Sequence, residues 1–200
     1  MAPAPRTELP PAPAAAEESA PTPPVELPRA AAEVRVLAAV QGATGPAAVR
    51  VARGMSHFGE HAAGWLALGL VGALADRTRR REWFTATAGV ALAHGASVGV
   101  KRMVRRPRPD DPAVEVRVGT PSKLSFPSAH ATSTAAAAVL LGGMLRPLGP
   151  VRAAALVVPP MALSRLVLGV HYPSDVLAGA LLGTAVAAAT RRFPIRRPAR

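Results

Sequence analysis

The sequence predicts an all-α fold: a polytopic membrane helical bundle of about five to six transmembrane helices behind a disordered Pro/Ala-rich N-terminal tail. Half of the 200 residues are apolar, yet Phe, Trp and Tyr together make only 4%. The apolar mass is therefore Ala, Val and Leu, small side chains that let membrane helices pack closely. Five apolar segments recur along the chain, and four of them lack the charged face that a helix of a soluble bundle turns to water. The length suits one domain.

Residues 1–32 hold Pro, Ala and Glu with almost no large apolar side chain, a segment that buries too little surface to order itself. Residues 33–53 are weakly amphipathic and interrupted at Gly42, Gly45 and Pro46, which predicts one or two short helices at the membrane interface. Residues 59–76 form the first predicted span, ended by the arginine run 77–81. Residues 83–100 form the second, opening on Trp83 where interfacial aromatics sit. Residues 131–145, 151–170 and 175–190 complete the set. Several fall short of the ~20 residues of an upright span. The predicted membrane domain covers residues 33–192, and 193–200 form a basic tail.

The formal charge is +12, carried almost wholly by arginine. The arginines flank apolar segments and form no polar stripe, so the predicted partner is a membrane, not nucleic acid. Cysteine is absent, which excludes disulfides and thiolate metal sites. The N-terminus, Met1 to Arg6, lacks the basic and apolar regions of a cleaved signal. Alternating loops put 101–123 and 165–175 on one side, and 77–82, 146–152 and 191–200 on the other. The arginine-rich second set predicts the cytoplasmic side. A plasma-membrane location follows, with the chemically loaded loops on the extracytoplasmic face.

Three stretches carry chemistry. Lys101 to Pro109 packs basic residues around two prolines that stiffen the chain. A cluster after a span often serves only as a stop signal, but an arginine fork and a lysine point charge also suit a tetrahedral phosphate. In Phe126-Pro127-Ser128-Ala129-His130, Ser128 reads as the cap of the following helix. The same helix start is an anion site, with backbone N–H groups and a hydroxyl donor, and places His130 beside the anion. His171 and Asp175, four residues apart, share one face, where the carboxylate fixes the imidazole tautomer and frees the other nitrogen as nucleophile or base. Arg165 ends the apolar run just before them. The sequence His57-Phe58-Gly59-Glu60-His61 spells an inverted zinc-protease motif, but lacks a clear third ligand. Glu60 and His61 read instead as residues at the mouth of the first span, facing the shared site, and His94 as an inter-helix hydrogen-bonder. No metal and no cofactor are expected.

Lys101, Arg108 and Pro109 match K-x6-RP. Pro127, Ser128 and His130 match P-S-x-H, and Ser164, Arg165, His171 and Asp175 match S-R-x5-H-x3-D. In this order and spacing they resemble the three signature motifs of the type 2 phosphatidic acid phosphatase (PAP2) superfamily, with Ala129 where many members carry glycine. The resemblance covers roughly residues 55 to 190. It implies a metal-independent membrane phosphatase in which His171 attacks phosphorus to form a phosphohistidine, Asp175 orients it, and His130 protonates the leaving oxygen and later activates water. Lys101, Arg108, Ser128, Arg165 and backbone amides near Ala129 would hold the phosphoryl oxygens. The stretches 53–61, with Trp65, and 118–133 resemble a narrower actinobacterial branch that removes the 5-phosphate from a polyprenyl-linked ribose on the route to cell-wall arabinan. Undecaprenyl pyrophosphate or phosphatidylglycerophosphate would fit the same motifs, and a basic membrane scaffold without catalysis is the reading of another class. The oligomeric state has no signature in the sequence.

Overall fold

The computed structural model describes residues 28–145 and 148–192; the predicted tail 193–200 and residues 1–27 of the predicted tail 1–32 lie outside these, and residues 28–32 of the latter belong to the first helix. The described residues are helical throughout, apart from connecting loops and one isolated antiparallel bridge between Pro107 and Leu124. The helices are α1 (Pro28–Gly42), α2 (Pro46–Gly59), α3 (Ala63–Ala75), α4 (Arg80–Val104), α5 (Ala129–Leu140), α6 (Gly149–Val167) and α7 (Pro173–Arg192).

The glycine and proline interruptions separate α1 from α2 as expected, with Pro46 in the first turn of α2 where its missing N–H is not needed. α2 does not stop near Arg53, however. It runs to Gly59 and continues through a break at Glu60–Ala62 into α3, so that Pro46–Ala75 forms one 30-residue apolar stretch. This stretch, Gly149–Val167 and Pro173–Arg192 are long and apolar enough to cross a membrane. α4 exceeds its predicted limits at both ends, because the polar turns at Arg80–Glu82 and Lys101–Val104 are helical without contributing hydropathy.

α5 has only twelve residues, about 18 Å of helix. It forms the centre of the bundle, packed against α4, α6 and α7, with Ala131 to Ala138 all buried. A helix enclosed by protein need not match the bilayer. The outer helices show the reverse pattern: Leu74, Leu92, Leu156, Leu177 and Leu181 are more than 60% exposed. Large apolar side chains displayed on several helices at once mark a surface meant for lipid. The chain is a membrane protein.

Close approach of α7 to α5 depends on Gly183. A Cβ there would overlap the backbone carbonyl oxygen of Thr132, and one at Gly179 would stand 2.5 Å from that of Ser128. The long loop between α4 and α5 is held from below by Gln41 of α1. Its amide donates to the carbonyls of Glu115 (2.7 Å) and Val167 (3.2 Å) and accepts from the Glu115 N–H (2.9 Å).

Candidate active site

The three stretches meet at one end of the bundle, around a cavity of about 310 Å³. Lys101, Arg108, Ala129, His130, Arg165 and His171 line it. Ser128 and Asp175 lie immediately behind, fully buried. Glu60 and His61 line it as well.

His171 sits between α6 and α7 and is 3% exposed. Its Nε2 lies 3.3 Å from Arg108 Nη1. A guanidinium only donates, so this nitrogen carries the lone pair and Nδ1 carries the proton. Nδ1 faces Asp175 Oδ2 at 3.7 Å, beyond hydrogen-bond length, and has no other partner. Catalytic hydrogen bonds in empty sites are often long in this way. Burial, with Arg108 and Lys101 nearby, takes the imidazole down to about 4 against the opposing pull of Asp175. It is neutral at physiological pH, the state a nitrogen nucleophile requires.

His130 opens α5. Its Nε2 donates to the backbone carbonyl of Ser56 (3.0 Å), and burial beside Arg165 lowers its pKa to about 3. Gly59 makes room for this ring: a Cβ there would lie 2.6 Å from His130 Cδ2. Ser128 caps α5, accepting weakly from the Ala131 N–H at 3.4 Å, and its own N–H is bound to the Asp175 carbonyl at 2.9 Å. The amides of Ala129 and His130, in the first turn of α5, have no intrahelical partner and are left for an anion.

The cations are held by carbonyl and hydroxyl oxygens and, among the described residues, have no carboxylate bound to them. Arg165 donates to Ser56 Oγ (3.1 Å) and Ser164 Oγ (3.2 Å). Arg108 donates to the carbonyls of Ser122 (2.8 Å) and Val170 (2.5 Å), and Lys101 to that of Leu124 (3.0 Å). Burial lowers the Lys101 ammonium to about 8 and also lowers Arg108. Three positive groups around one cavity, Lys101 and Arg165 buried and Arg108 half-buried, each without a bound carboxylate among the described residues, form a receptor for a multiply charged oxyanion.

Sequence reasoning passed over Arg106 and Glu33. Arg106 Nη1 donates to Asp175 Oδ1 (2.9 Å) and Ser174 Oγ (2.7 Å), its Nη2 donates to Glu33 Oε2 (2.6 Å), and its guanidinium lies 4.0 Å from the centre of the Tyr172 ring. Glu33 Oε1 accepts the Ser174 N–H at 3.0 Å. The carboxylate behind His171 is thus fixed by a chain reaching into α1. Adjacent arginines gave no reason to separate Arg106 from its neighbours, and Glu33 is remote in sequence.

Of the zinc-like pentad, His57 is exposed, and His61 Nδ1 stands 3.5 Å from Glu60. No group of three or more potential metal ligands occurs among the described residues.

The PAP2 superfamily model matches residues 82–198. A decaprenylphosphoryl-5-phosphoribose phosphatase of Mycobacterium tuberculosis (strain CDC 1551 / Oshkosh) is 58% identical over 158 residues, covering 78% of this chain and 87% of the relative. One of Mycolicibacterium smegmatis (strain ATCC 700084 / mc(2)155) is 60% identical over 149 residues, covering 74% and 81%. Among solved structures, a transmembrane PAP2 type phosphatidylglycerolphosphate phosphatase from Bacillus subtilis superposes with a TM-score of 0.68 at 22% identity, covering 84% of this chain and 88% of that one. Aquifex aeolicus LpxE gives 0.66 at 18%, covering 80% and 94%. These two show the shared fold. Motif order, family match and high identity over most of the chain agree, and the protein belongs to the PAP2 superfamily of membrane phosphatases.

Proposed function

We propose that this membrane phosphatase removes the 5-phosphate of decaprenylphosphoryl-5-phosphoribose, releasing inorganic phosphate and decaprenylphosphoryl-ribose for cell-wall arabinan synthesis, at the extracytoplasmic face. The observation that carries the chemistry is the neutral His171 with its Nε2 at the cavity and Arg108 beside it. The substrate rests on identity with the mycobacterial phosphatases.

Lys101, Arg108, Arg165 and the amides of Ala129 and His130 bind the phosphoryl oxygens, and Arg108 moves from His171 Nε2 onto the substrate. Nε2 attacks phosphorus, the P–O ester bond breaks, and the leaving oxygen takes a proton from His130. Asp175 stabilises the positive charge that develops on the His171 ring. Burial keeps the free His130 neutral; the incoming phosphate supplies the negative charge that lets it bind this proton. Water then attacks the phosphohistidine with its proton passing to His130, the P–N bond breaks, and phosphate leaves. Donors already aimed at the oxygens, where charge spreads in the transition state, are worth several kcal/mol.

Phosphate release by the detergent-purified chain, with EDTA present, on decaprenylphosphoryl-5-phosphoribose and on undecaprenyl pyrophosphate tests the reading. Preference for the phosphoribosyl lipid and its loss in His171→Ala are expected. Preference for the pyrophosphate would move the enzyme to lipid-carrier recycling, full activity of the variant would remove His171 as nucleophile, and zinc-reversed inhibition by EDTA would refute metal independence.

A further inference from the structure

Part of the cavity lining has a different chemistry. Glu60 and His61 reach it from the break between α2 and α3, and His94 from α4. Glu60 is the one carboxylate among the residues lining a cavity that also holds Lys101, Arg102, Arg108 and Arg165. Its negative charge reaches Arg108. Beside a phosphate receptor such a charge repels the anion to be captured, so its place there calls for another recognition task. The backbone that presents it is unusual as well. His61 (φ 49, ψ 26) and Ala62 (φ 60, ψ 13) are consecutive left-handed residues without a glycine, a conformation that persists where surrounding structure enforces it and that gathers at ligand sites.

Two further observations point to a ligand. Among the described residues the one ion-pair partner of Glu60 is the exposed His61 ring at 3.5 Å, and none donates a hydrogen bond to the Glu60 carboxylate, so its oxygens keep their acceptor capacity. His94 Nδ1 is buried with no hydrogen-bond partner among the described residues. What these groups lack is hydroxyl donors. An ionised carboxylate can take one O–H on each oxygen, and a neutral imidazole another.

We infer that Glu60, with His94 beside it, forms a hydroxyl-binding subsite for the vicinal diol of the sugar that carries the phosphate under attack. The inference rests on the reading of the chain as a phosphatase of a lipid-linked phosphosugar. A sugar phosphate places its phosphate on the cations and its hydroxyls on Glu60. A phosphomonoester without hydroxyls leaves that carboxylate unpaired and facing the phosphate, so the same residue attracts the first substrate and rejects the second.

The test compares kcat/KM of the full chain in detergent for decaprenylphosphoryl-5-phosphoribose and for phosphatidic acid, which has no free hydroxyl. Glu60→Gln keeps the shape and removes the charge. It is expected to lower kcat/KM for the phosphoribosyl lipid about 10- to 100-fold, the effect of losing a hydrogen bond to a charged group, and to raise it for phosphatidic acid. His94→Phe, which keeps a ring without nitrogens, should shift the ratio the same way. A parallel fall on both lipids in both variants would make these residues supports of the site as a whole and overturn the subsite, as would an unchanged ratio. If the unaltered enzyme shows no preference for the phosphoribosyl lipid, the substrate reading fails and the subsite with it. If that preference is present and survives both substitutions, the subsite alone fails.

Discussion

Replacing Arg106 with methionine tests whether the network behind His171 positions the catalytic pair. Methionine keeps much of the stem and removes every donor. Asp175, fully buried, loses the 2.9 Å bond to its Oδ1, and Glu33 loses a 2.6 Å bond. Each charge-assisted bond is worth about 1.5–3 kcal/mol, and breaking a fully buried pair costs about 3–5 kcal/mol. Arg106 keeps 26% of its side chain in contact with solvent, and water there offsets part of the loss. A destabilisation of about 2–4 kcal/mol is therefore expected. The kinetic effect is separate. Asp175 Oδ2 retains the Tyr172 N–H at 2.8 Å, but without Arg106 its carboxylate can turn about that bond, and the 3.7 Å separation from His171 is no longer set. Misplacement of a reacting group by about 1 Å costs about 100-fold in rate. Phosphate release and the thermal midpoint in detergent, measured for Arg106→Met, Glu33→Gln and the double variant, separate the two. Coupling of about 1 kcal/mol or more between the single changes is expected of residues in one network. A kcat within about twofold of the parent enzyme, with additive single effects, would refute the positioning role.

The free-enzyme pKa values fix the pH profile. His171 is lowered to about 4 and must be neutral to attack, so kcat/KM should fall as pH drops through about 4. The proton that His130 passes on arrives with the phosphomonoester, whose second pKa is about 6, so kcat/KM should decline above about 6. Lys101 is lowered to about 8 and must be charged to bind phosphate, so the fall should steepen as pH rises through about 8. Lys101→Arg should remove that second step, because a guanidinium stays protonated; a step that persists would place its origin elsewhere. Gly59→Ala puts a methyl group against His130, with Cβ 2.6 Å from Cδ2, and should lower kcat far more than the thermal midpoint; equal retention of both would show that the ring has room to shift. Gly183→Ala drives a Cβ into the Thr132 carbonyl and should destabilise the bundle by about 1–3 kcal/mol, read as a lower thermal midpoint.

What was legible in the sequence and what was not divide along one physical line. Phosphate chemistry demands particular side chains at local spacings, so Lys101, Arg108, His130, Arg165, His171 and Asp175 stand out in three short stretches, and the structure gathers the first five on one cavity with Asp175 behind. The breaks at Gly42 and Pro46 are equally local, and α1 and α2 part there. Hydropathy, by contrast, reports that a segment avoids water, not what replaces the water. The apolar stretch 131–145 overlaps a twelve-residue helix, Ala129–Leu140, wrapped in protein, whereas 175–190 belongs to a helix that turns Leu177 and Leu181 outward; along the sequence the two look alike. The break at His61–Ala62 was hidden for a related reason, since no glycine or proline occupies the two left-handed positions and the surrounding packing alone selects them. Arg106 and Glu33, 73 residues apart, were invisible as a pair because their link exists only once α1 folds against the start of α7. That contact gives α1 a place at the site that its own sequence does not suggest: through Glu33 and Arg106, a helix outside the three motifs helps to hold the carboxylate that faces His171.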